Sequence, residues 1–203
     1  MKTNFTPLAH GYRFANRFEF KGFSKFTNLF KSKLIYGMCG GMVFSALDYY
    51  FDQKNVPDYQ VPDVIPVNYA KYLWKRQKES VSFTVLLRII YFSSLSVKSS
   101  IKKSIVYELP KIKYQLSDNL PAPLILIRAS LIQNPTHNHQ VLVTGFKENG
   151  SITELLIYDP NHPEKQPTIE IDRYSHKINQ STGEFIRGFF LNKYSYKSSE
   201  ADK

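Results

Sequence analysis

The fold is decided by residues 138–161, which read NHQVLVTGFKENGSITELLIYDPN. Apolar strand patterns flank the turn sequence KENGS, and this combination predicts a β-hairpin. With a loop at 148–150 and Gly150 in the left-handed conformation, His139 lies directly opposite Asp159 and shares its face. A two-residue loop would place these groups on opposite faces. The stretch therefore predicts a histidine oriented by a carboxylate, and this depends on loop length.

The only cysteine of the chain, Cys39, lies in the sequence YGMCGG, directly ahead of an amphipathic run that predicts a helix. The dipole and the unpaired N–H groups at a helix start favour a thiolate over a thiol. Together with His139 and Asp159, this thiol supplies the groups of acyl transfer. The alternatives are a buried apolar cysteine, a strand-end histidine and a turn aspartate before Pro160.

The order of these residues resembles the papain-like cysteine peptidases, and most closely the branch of the bacteriocin-processing peptidase domains. The matching pieces are Cys39-Gly40, the apolar strand at 123–127, His139-Gln140-Val141-Leu142-Val143 and Tyr158-Asp159-Pro160. The resemblance covers about residues 30–195. It implies a papain-like α+β fold, in which an N-terminal helical part is followed by a mostly antiparallel β-sheet, with the active-site cleft between them.

The sequence departs from this family at the position of the oxyanion donor. Such peptidases usually carry a glutamine six residues before the cysteine, where this chain has Lys33. The backbone N–H of Cys39 is the first candidate donor, because it lies at the helix start, and Lys33 or Asn28 is a candidate for a second. Asn161 is the alternative to Asp159 as the residue that orients the histidine. Because it lies past a proline that ends the strand, Asn161 is predicted to cap the turn.

Periodicity predicts helices before the hairpin and further strands after it, in one globular domain of 203 residues. Helices are predicted after Cys39 and at about 67–79, 82–95 and 98–116, the last with an interruption at Pro110, and strands at 124–127, 168–172 and 185–191. Residues 1–31 are predicted to form an aromatic-rich strap packed across the body. In this strap Tyr12 and Phe14 alternate as in a strand, and later phenylalanines follow helical spacing. The polar tail 197–203 is predicted to be disordered.

Composition sets the range of partners. The net charge is +10, but the basic residues are distributed over several predicted helices, which disfavours nucleic acid as the partner. An acidic partner, an anionic membrane surface or an acidic substrate stays open. The chain has neither a secretory signal nor a membrane-spanning window, and a single cysteine forms no internal disulfide, so we expect a cytoplasmic location.

These observations predict a cysteine-dependent hydrolase that cleaves a peptide or isopeptide bond of a peptide or protein substrate, without a cofactor or metal. Cys39, His139 and Asp159 would act through a thioester intermediate. A transferase or amidase acting on a small amide would use the same residues. The sequence is also compatible with a catalytically silent papain-like binding module, and with a metal site formed by His137, His139, Asp159 and His162.

Overall fold

The computed structural model describes residues 1–18, 37–163 and 165–199. Within these residues the helices come first along the chain and the strands second, which confirms the α+β class. The α-helices are α1 (Pro7–His10), α2 (Cys39–Phe51), α3 (Val67–Ser80), α4 (Phe83–Ser94), α5 (Val97–Lys103) and α6 (Leu109–Ser117). A π-helical turn (Ser104–Glu108) joins α5 to α6, and 3-10 turns lie at Pro62–Val64 and Pro135–His137. In this part of the chain no helix has both the length and the apolar composition needed to cross a bilayer.

The described strands form one curled antiparallel sheet. They are β1 (Ala122–Ile127), β2 (His139–Asn149), β3 (Ile152–Tyr158), β4 (Thr168–Asp172), β5 (Lys177–Gln180) and β6 (Gly188–Leu191). Their spatial order is β5-β4-β3-β2-β1-β6, and every neighbouring pair is antiparallel. The strand predicted at 124–127 is β1, and all its residues are buried as predicted. The sequence did not predict β5, whose four residues KINQ include a single apolar side chain.

The helices pack on both faces of the sheet because successive side chains of a strand point to opposite sides. Leu124 and Leu126 of β1 share a cluster with residues of α5 and α6, while Ile125 and Ile127 pack against α4. The core of α2 and α3 includes Leu142 of β2. This packing fixes α2, whose first residue is the cysteine, against the strand that begins with the histidine.

The loop of the β2–β3 hairpin differs from the predicted one. It consists of Gly150-Ser151 and not of 148–150, because Glu148 and Asn149 still pair with residues of β3. Gly150 adopts the predicted left-handed conformation, with φ of +58°. The predicted direct opposition of His139 and Asp159 is therefore wrong.

A β-bulge at Thr144 restores the shared face. Between Val143 and Gly145 the pairing of β2 with β3 shifts by one residue. A shift of one residue exchanges the two faces of a strand relative to its partner. Without the bulge, the two-residue loop would place His139 and Asp159 on opposite faces of the sheet. The one-residue shift at the bulge puts both on the same face.

The first residues of the chain pack into this bulge. Thr3 N–H donates to the carbonyl oxygen of Thr144 at 2.8 Å, and Phe146 N–H donates to that of Met1 at 2.8 Å. A Cβ on Gly145 would lie 2.7 Å from the Met1 carbonyl oxygen, so a larger residue would push this segment away. Glycine at the bulge therefore lets the N-terminal segment hold the irregular backbone.

The predicted interruption at Pro110 is observed as the π-helical turn that precedes it. Proline lacks an N–H to donate within the helix, and a locally widened turn accommodates this loss. The turn brings Ser104 and Glu108 to the outer edge of β6. Phe189 N–H donates to Ser104 Oγ at 2.7 Å, and Leu191 N–H donates to Glu108 Oε2 at 3.1 Å. These contacts close the edge strand to further pairing.

The aromatic strap predicted for residues 1–31 is described up to residue 18. Tyr12, Phe14 and Phe18 are buried in the core of α2 and α3. The strand predicted from the alternation of Tyr12 and Phe14 is not formed, because these rings enter the core from an irregular segment. The helical spacing predicted for the later phenylalanines falls in 19–36, outside the described residues.

The tail that is predicted to be disordered from residue 197 is described up to residue 199. Lys197 N–H donates to Asp48 Oδ1 at 3.0 Å. Ser199 donates from its N–H and its hydroxyl to Asp52 Oδ2, at 2.8 and 2.7 Å. Both acceptors lie on or next to α2, so long-range contacts order a segment whose composition is polar. Residues 200–203 lie outside the described part of the chain.

Candidate active site

The structure brings together the three residues that the sequence singles out. Cys39 is the first residue of α2, His139 is the first residue of β2, and Asp159 directly follows β3. His139 Nε2 lies 2.6 Å from Asp159 Oδ1, and both side chains are buried. His139 also lies close enough to Cys39 for each group to shift the pKa of the other. Because Nε2 faces the carboxylate, Nδ1 is the ring nitrogen left for the sulfur.

The environment of His139 favours the protonated imidazole. Burial lowers the pKa of this ring, because a charge is poorly solvated in the interior. The negative charges of Asp159 and Cys39, with their hydrogen bonds, act in the opposite direction and raise the pKa of His139 to about 10. At neutral pH the ring therefore carries a proton that it can donate.

The environment of Cys39 favours the thiolate. Burial raises the pKa of the thiol, but the charge and hydrogen bond of His139 lower it by more. The sulfur also accepts hydrogen bonds from the backbone N–H groups of Gln140 and Gly40. Met38, the residue before α2, makes no capping hydrogen bond with its side chain, and Gln77 Oε1 accepts the N–H of Gly41 at 2.8 Å, so the first-turn N–H groups left for a negative charge are those before Gly41. The net result is a pKa below the ordinary value and a thiolate–imidazolium pair.

Asp159 is held by contacts beyond the histidine. Its Oδ1 accepts the backbone N–H of Asn161 at 2.8 Å, and its Oδ2 accepts Nε2 of Gln180 at 3.3 Å. Burial raises the pKa of this carboxyl, and the charge and hydrogen bond of His139 lower it by more. Asp159 therefore stays ionised and orients the ring.

A further layer of polar side chains supports Gln180. Arg128 donates from Nη2 to Gln180 Oε1 at 3.1 Å and from Nη1 to Glu184 Oε1 at 3.2 Å. Sequence reasoning missed this layer because Gln180 ends β5, a strand with too few apolar residues to be recognised. No signal within the sequence connects these residues to His139.

Asn16 is a second feature that sequence reasoning missed. Its N–H donates to the Pro160 carbonyl oxygen at 2.9 Å, and its Nδ2 donates to Asn161 Oδ1 at 3.2 Å. Its Oδ1 accepts the N–H of Met38 at 2.6 Å. One side chain thus joins the turn after the carboxylate to the residue before Cys39.

The residues predicted to assist the three central ones, as oxyanion donors or as an alternative to Asp159, lie in different places. Lys33 and Asn28 lie in 19–36, outside the described residues. Asn161 directs its side chain to Asn16 and gives only its N–H to Asp159, so it holds the turn as the sequence predicts. Cys39 N–H belongs to the first turn of α2 and stays the predicted first candidate for the oxyanion donor.

The predicted metal quartet is not brought together as a set. His137 is exposed on a 3-10 turn, while His139 contacts Asp159 and Cys39. Among the described residues, the group that could hold a metal ion is Asp159, His162 and Glu184, with ligand atoms within 4.8 Å of one another. Its two carboxylates already accept hydrogen bonds from the layers described above.

Comparisons of this chain with protein-family models, with curated proteins and with solved structures found no match. The family resemblance therefore rests on the sequence motifs alone. The functional conclusion has to come from the geometry and the charges of the site.

Proposed function

We propose that this protein is a cysteine-dependent hydrolase that cleaves an amide bond in a peptide or protein, with the papain-like arrangement of its catalytic residues. Cys39 is the nucleophile, His139 the acid–base catalyst and Asp159 the residue that orients the ring. The observation that carries the proposal is the buried contact of 2.6 Å between His139 and Asp159, with Cys39 near enough to the same ring for the imidazolium to lower the pKa of the thiol. A nucleophile, a base and an orienting carboxylate in this order are the requirements of acyl transfer.

In the first half of the reaction, the Cys39 thiolate attacks the carbonyl carbon of the scissile amide. The carbonyl oxygen becomes an oxyanion, for which Cys39 N–H at the start of α2 is a donor. The C–N bond then breaks, and His139 gives its proton to the departing amine. A thioester on Cys39 and a neutral imidazole remain.

In the second half, water replaces the amine. The neutral ring of His139 accepts a proton from water while the oxygen attacks the thioester carbonyl. The C–S bond breaks, the carboxylic acid product leaves, and the proton on His139 restores the thiolate–imidazolium pair. Asp159 keeps the same ring nitrogen protonated throughout, so the other nitrogen exchanges the proton.

A peptidyl electrophile that reacts with cysteine peptidases tests this proposal. We expect wild-type protein to gain one probe per chain at Cys39 and to lose labelling on pretreatment with iodoacetamide. His139→Ala should reduce the labelling rate by orders of magnitude. The matched control is His137→Ala, which removes an exposed histidine next to the same strand and should label like the wild type.

Two outcomes would contradict the proposal. Slow labelling that is the same with and without His139 would indicate an inert thiol and favour a binding module. Labelling that a chelator abolishes and zinc restores would favour a metal site, and His162→Ala would then be as damaging as His139→Ala.

A further inference from the structure

Helix α4 is apolar on both sides. Its inner side chains, Val85, Ile89 and Phe92, pack against β1 and β6. A second apolar row on the opposite side, the outer face, consists of Phe83, Leu86, Leu87, Ile90 and Tyr91. Phe83 is 74% exposed, and the exposed fractions of the other four lie between 43% and 49%.

This pattern is unusual for a helix at a protein surface. Surface helices place polar side chains outward, as α3 does with Lys71 and Lys78. A helix that is apolar all round is normally covered on all sides. The spacing of the outer face, with side chains three, four, seven and eight residues apart, makes one continuous stripe along α4. Contiguous exposed apolar surface of this kind marks an interaction site.

The outer face lies in a stretch that has no acidic residue. Residues 80–107 contain no Asp or Glu and carry three lysines, Lys98, Lys102 and Lys103, and one arginine, Arg88, whose Nη2 pairs with Glu108 Oε2 at 2.8 Å. Lys103 Nζ lies 5.4 Å from the ring centre of Tyr91 and 5.3 Å from that of Tyr107. Lys98 and Lys102 are exposed on α5. Positive charge therefore borders the apolar stripe.

We propose that the outer face of α4 docks on an anionic lipid bilayer, an interaction independent of the acyl-transfer site. Phe83, Leu86, Leu87, Ile90 and Tyr91 would enter the boundary between headgroups and acyl chains, with α4 in the plane of the membrane. The lysines of α5 would contact the lipid phosphates. An apolar stripe with Phe and Leu, bordered by lysines, is the composition of interfacial helices.

Charge distinguishes this partner from two others. A second copy of the chain would bring two surfaces of the same sign together, each on a molecule with net charge +10. A nucleic acid would satisfy the lysines, but it would leave Leu86, Leu87 and Ile90 in contact with water, since bases stack on aromatic rings. An anionic bilayer satisfies both the apolar and the basic side chains.

Sedimentation with vesicles tests the proposal on the full chain. One set of vesicles contains phosphatidylcholine alone, and a second contains phosphatidylcholine with one part in three of phosphatidylserine. We expect the wild type to sediment with the anionic vesicles, and to be released by salt. Failure to bind the anionic vesicles, or equal binding to both sets, would overturn the proposal.

Variants identify the surface that binds. Phe83→Ser with Leu87→Ser should weaken partitioning by about tenfold or more, because apolar area is no longer buried in the lipid. Lys98→Gln with Lys102→Gln should weaken it by about tenfold and reduce its salt dependence. The control pair, Val64→Ser with Val67→Ser, removes side chains exposed by 60% and 71% elsewhere and should bind like the wild type.

Alkylation of Cys39 at the wild-type rate checks that each variant is folded. Unchanged binding of the Phe83/Leu87 variant would show that another surface meets the lipid and would overturn the proposal. Self-association of lipid-free wild type that this variant abolishes would overturn it as well, in favour of a second copy as the occupant.

Discussion

Helix α2 carries a buried polar cluster at each end, and the two clusters differ in what their charges contact. The Cys39 cluster, at the first turn, consists of Cys39, His139 and Asp159. The Asp48 cluster, near the last turn, consists of Asp48, Arg76, Tyr72 and Tyr194. Both contain a carboxylate and a cation in the interior, where an unpaired charge would be strongly unfavourable.

In the Asp48 cluster the carboxylate contacts partners that do not exchange protons at neutral pH. Asp48 accepts the hydroxyls of Tyr72 and Tyr194, each at 2.6 Å, and Nη2 of Arg76 at 3.0 Å. Burial raises the pKa of both tyrosines, so these hydroxyls keep their protons. Arg76 also donates to the carbonyl oxygen of Ser195 at 2.9 Å, which ties the C-terminal segment to α3. This cluster therefore fastens the fold.

In the Cys39 cluster the cation is an imidazolium and its second partner is a nucleophile. The proton of His139 can therefore move, and the sulfur of Cys39 can react. Burial of charge alone, which both clusters share, does not indicate a catalytic site. What distinguishes the Cys39 cluster is that its charges belong to a thiol and an imidazole, two groups that can pass a proton between them.

The largest expected effect is a difference in reactivity between variants of the two carboxylates, Asp159 and Asp48. Asp159→Ala should lower the rate of probe labelling or turnover by about 10³ to 10⁴-fold, because the ring loses its orientation and its counter-charge. Asp48→Ala should leave the rate per folded molecule unchanged. Labelling kinetics, corrected for the folded fraction by circular dichroism, measure both. Equal losses in the two variants would remove the distinction between the clusters.

The second prediction concerns stability. Arg76→Ala should lower the free energy of unfolding by about 3–5 kcal/mol, because it leaves the buried carboxylate of Asp48 without its cation. Arg173→Ala, which removes an exposed arginine from the turn between β4 and β5, is the control and should cost less than about 0.5 kcal/mol. Urea denaturation of both variants provides the values. A loss for Arg76→Ala as small as that of the control would mean that the Asp48 cluster does not fasten the fold.

The third prediction uses pH. The pKa of His139 is raised from 6.5 to about 10, so its stabilisation is full below 6.5 and is lost as the pH rises toward 10. The pKa of Cys39 is lowered from 9.0, so its stabilisation is full above 9.0 and is lost as the pH falls toward that lowered value. From the lowered pKa of Cys39, or from 6.5 where that is higher, up to 9.0 the two slopes oppose each other, because folding moves the thiol proton to the imidazole.

We therefore expect wild-type stability to stay nearly constant between these two pH values. Cys39→Ala removes one of the opposing slopes, and its stability should fall by about 1 kcal/mol per pH unit from 6.5 upward. The fall ends at a lower pH than 10, because the thiolate no longer helps to raise the pKa of His139. Thermal or urea denaturation at several pH values measures this. Parallel curves for the two proteins would show that thiol and imidazole do not share a proton.

The smallest expected effect is that of Asn161→Ala. The substitution removes the hydrogen bond with Asn16 but keeps the backbone N–H that reaches Asp159, so it should cost about 1 kcal/mol of stability and little activity. The thermal midpoint and the labelling rate measure the two quantities. A well-folded but unreactive Asn161→Ala variant would give Asn161, and not Asp159, the orienting role.

Local sequence patterns predicted most helices and strands of this fold, because the residues that cause each of these elements lie within the element itself. Apolar periodicity predicted α3, α4 and β1 to within a few residues, and Cys39, His139 and Asp159 stand at the element boundaries that the sequence indicates. Pro110 predicted a break in the helix, although not that the break would be a π-helical turn that closes the edge of β6.

Features that depend on distant parts of the chain were not predictable. The bulge at Thr144 is held by hydrogen bonds with Met1 and Thr3. The sequence of the hairpin alone therefore does not predict it. For the same reason, the contacts of Lys197 and Ser199 with Asp48 and Asp52 could not be inferred from the composition of a polar tail. The expectation that His139 and Asp159 meet was fulfilled through a different loop and a compensating bulge.

The most direct test of the thiolate–imidazolium pair is the rate of Cys39 alkylation by iodoacetamide as a function of pH, in the wild type and in His139→Ala. We predict a wild-type midpoint below the free-thiol value of about 8.5, and a higher midpoint in His139→Ala, since the imidazolium no longer stabilises the thiolate. A wild-type midpoint at or above the free value, or the same midpoint in both proteins, would contradict the pair and the proposed function that depends on it.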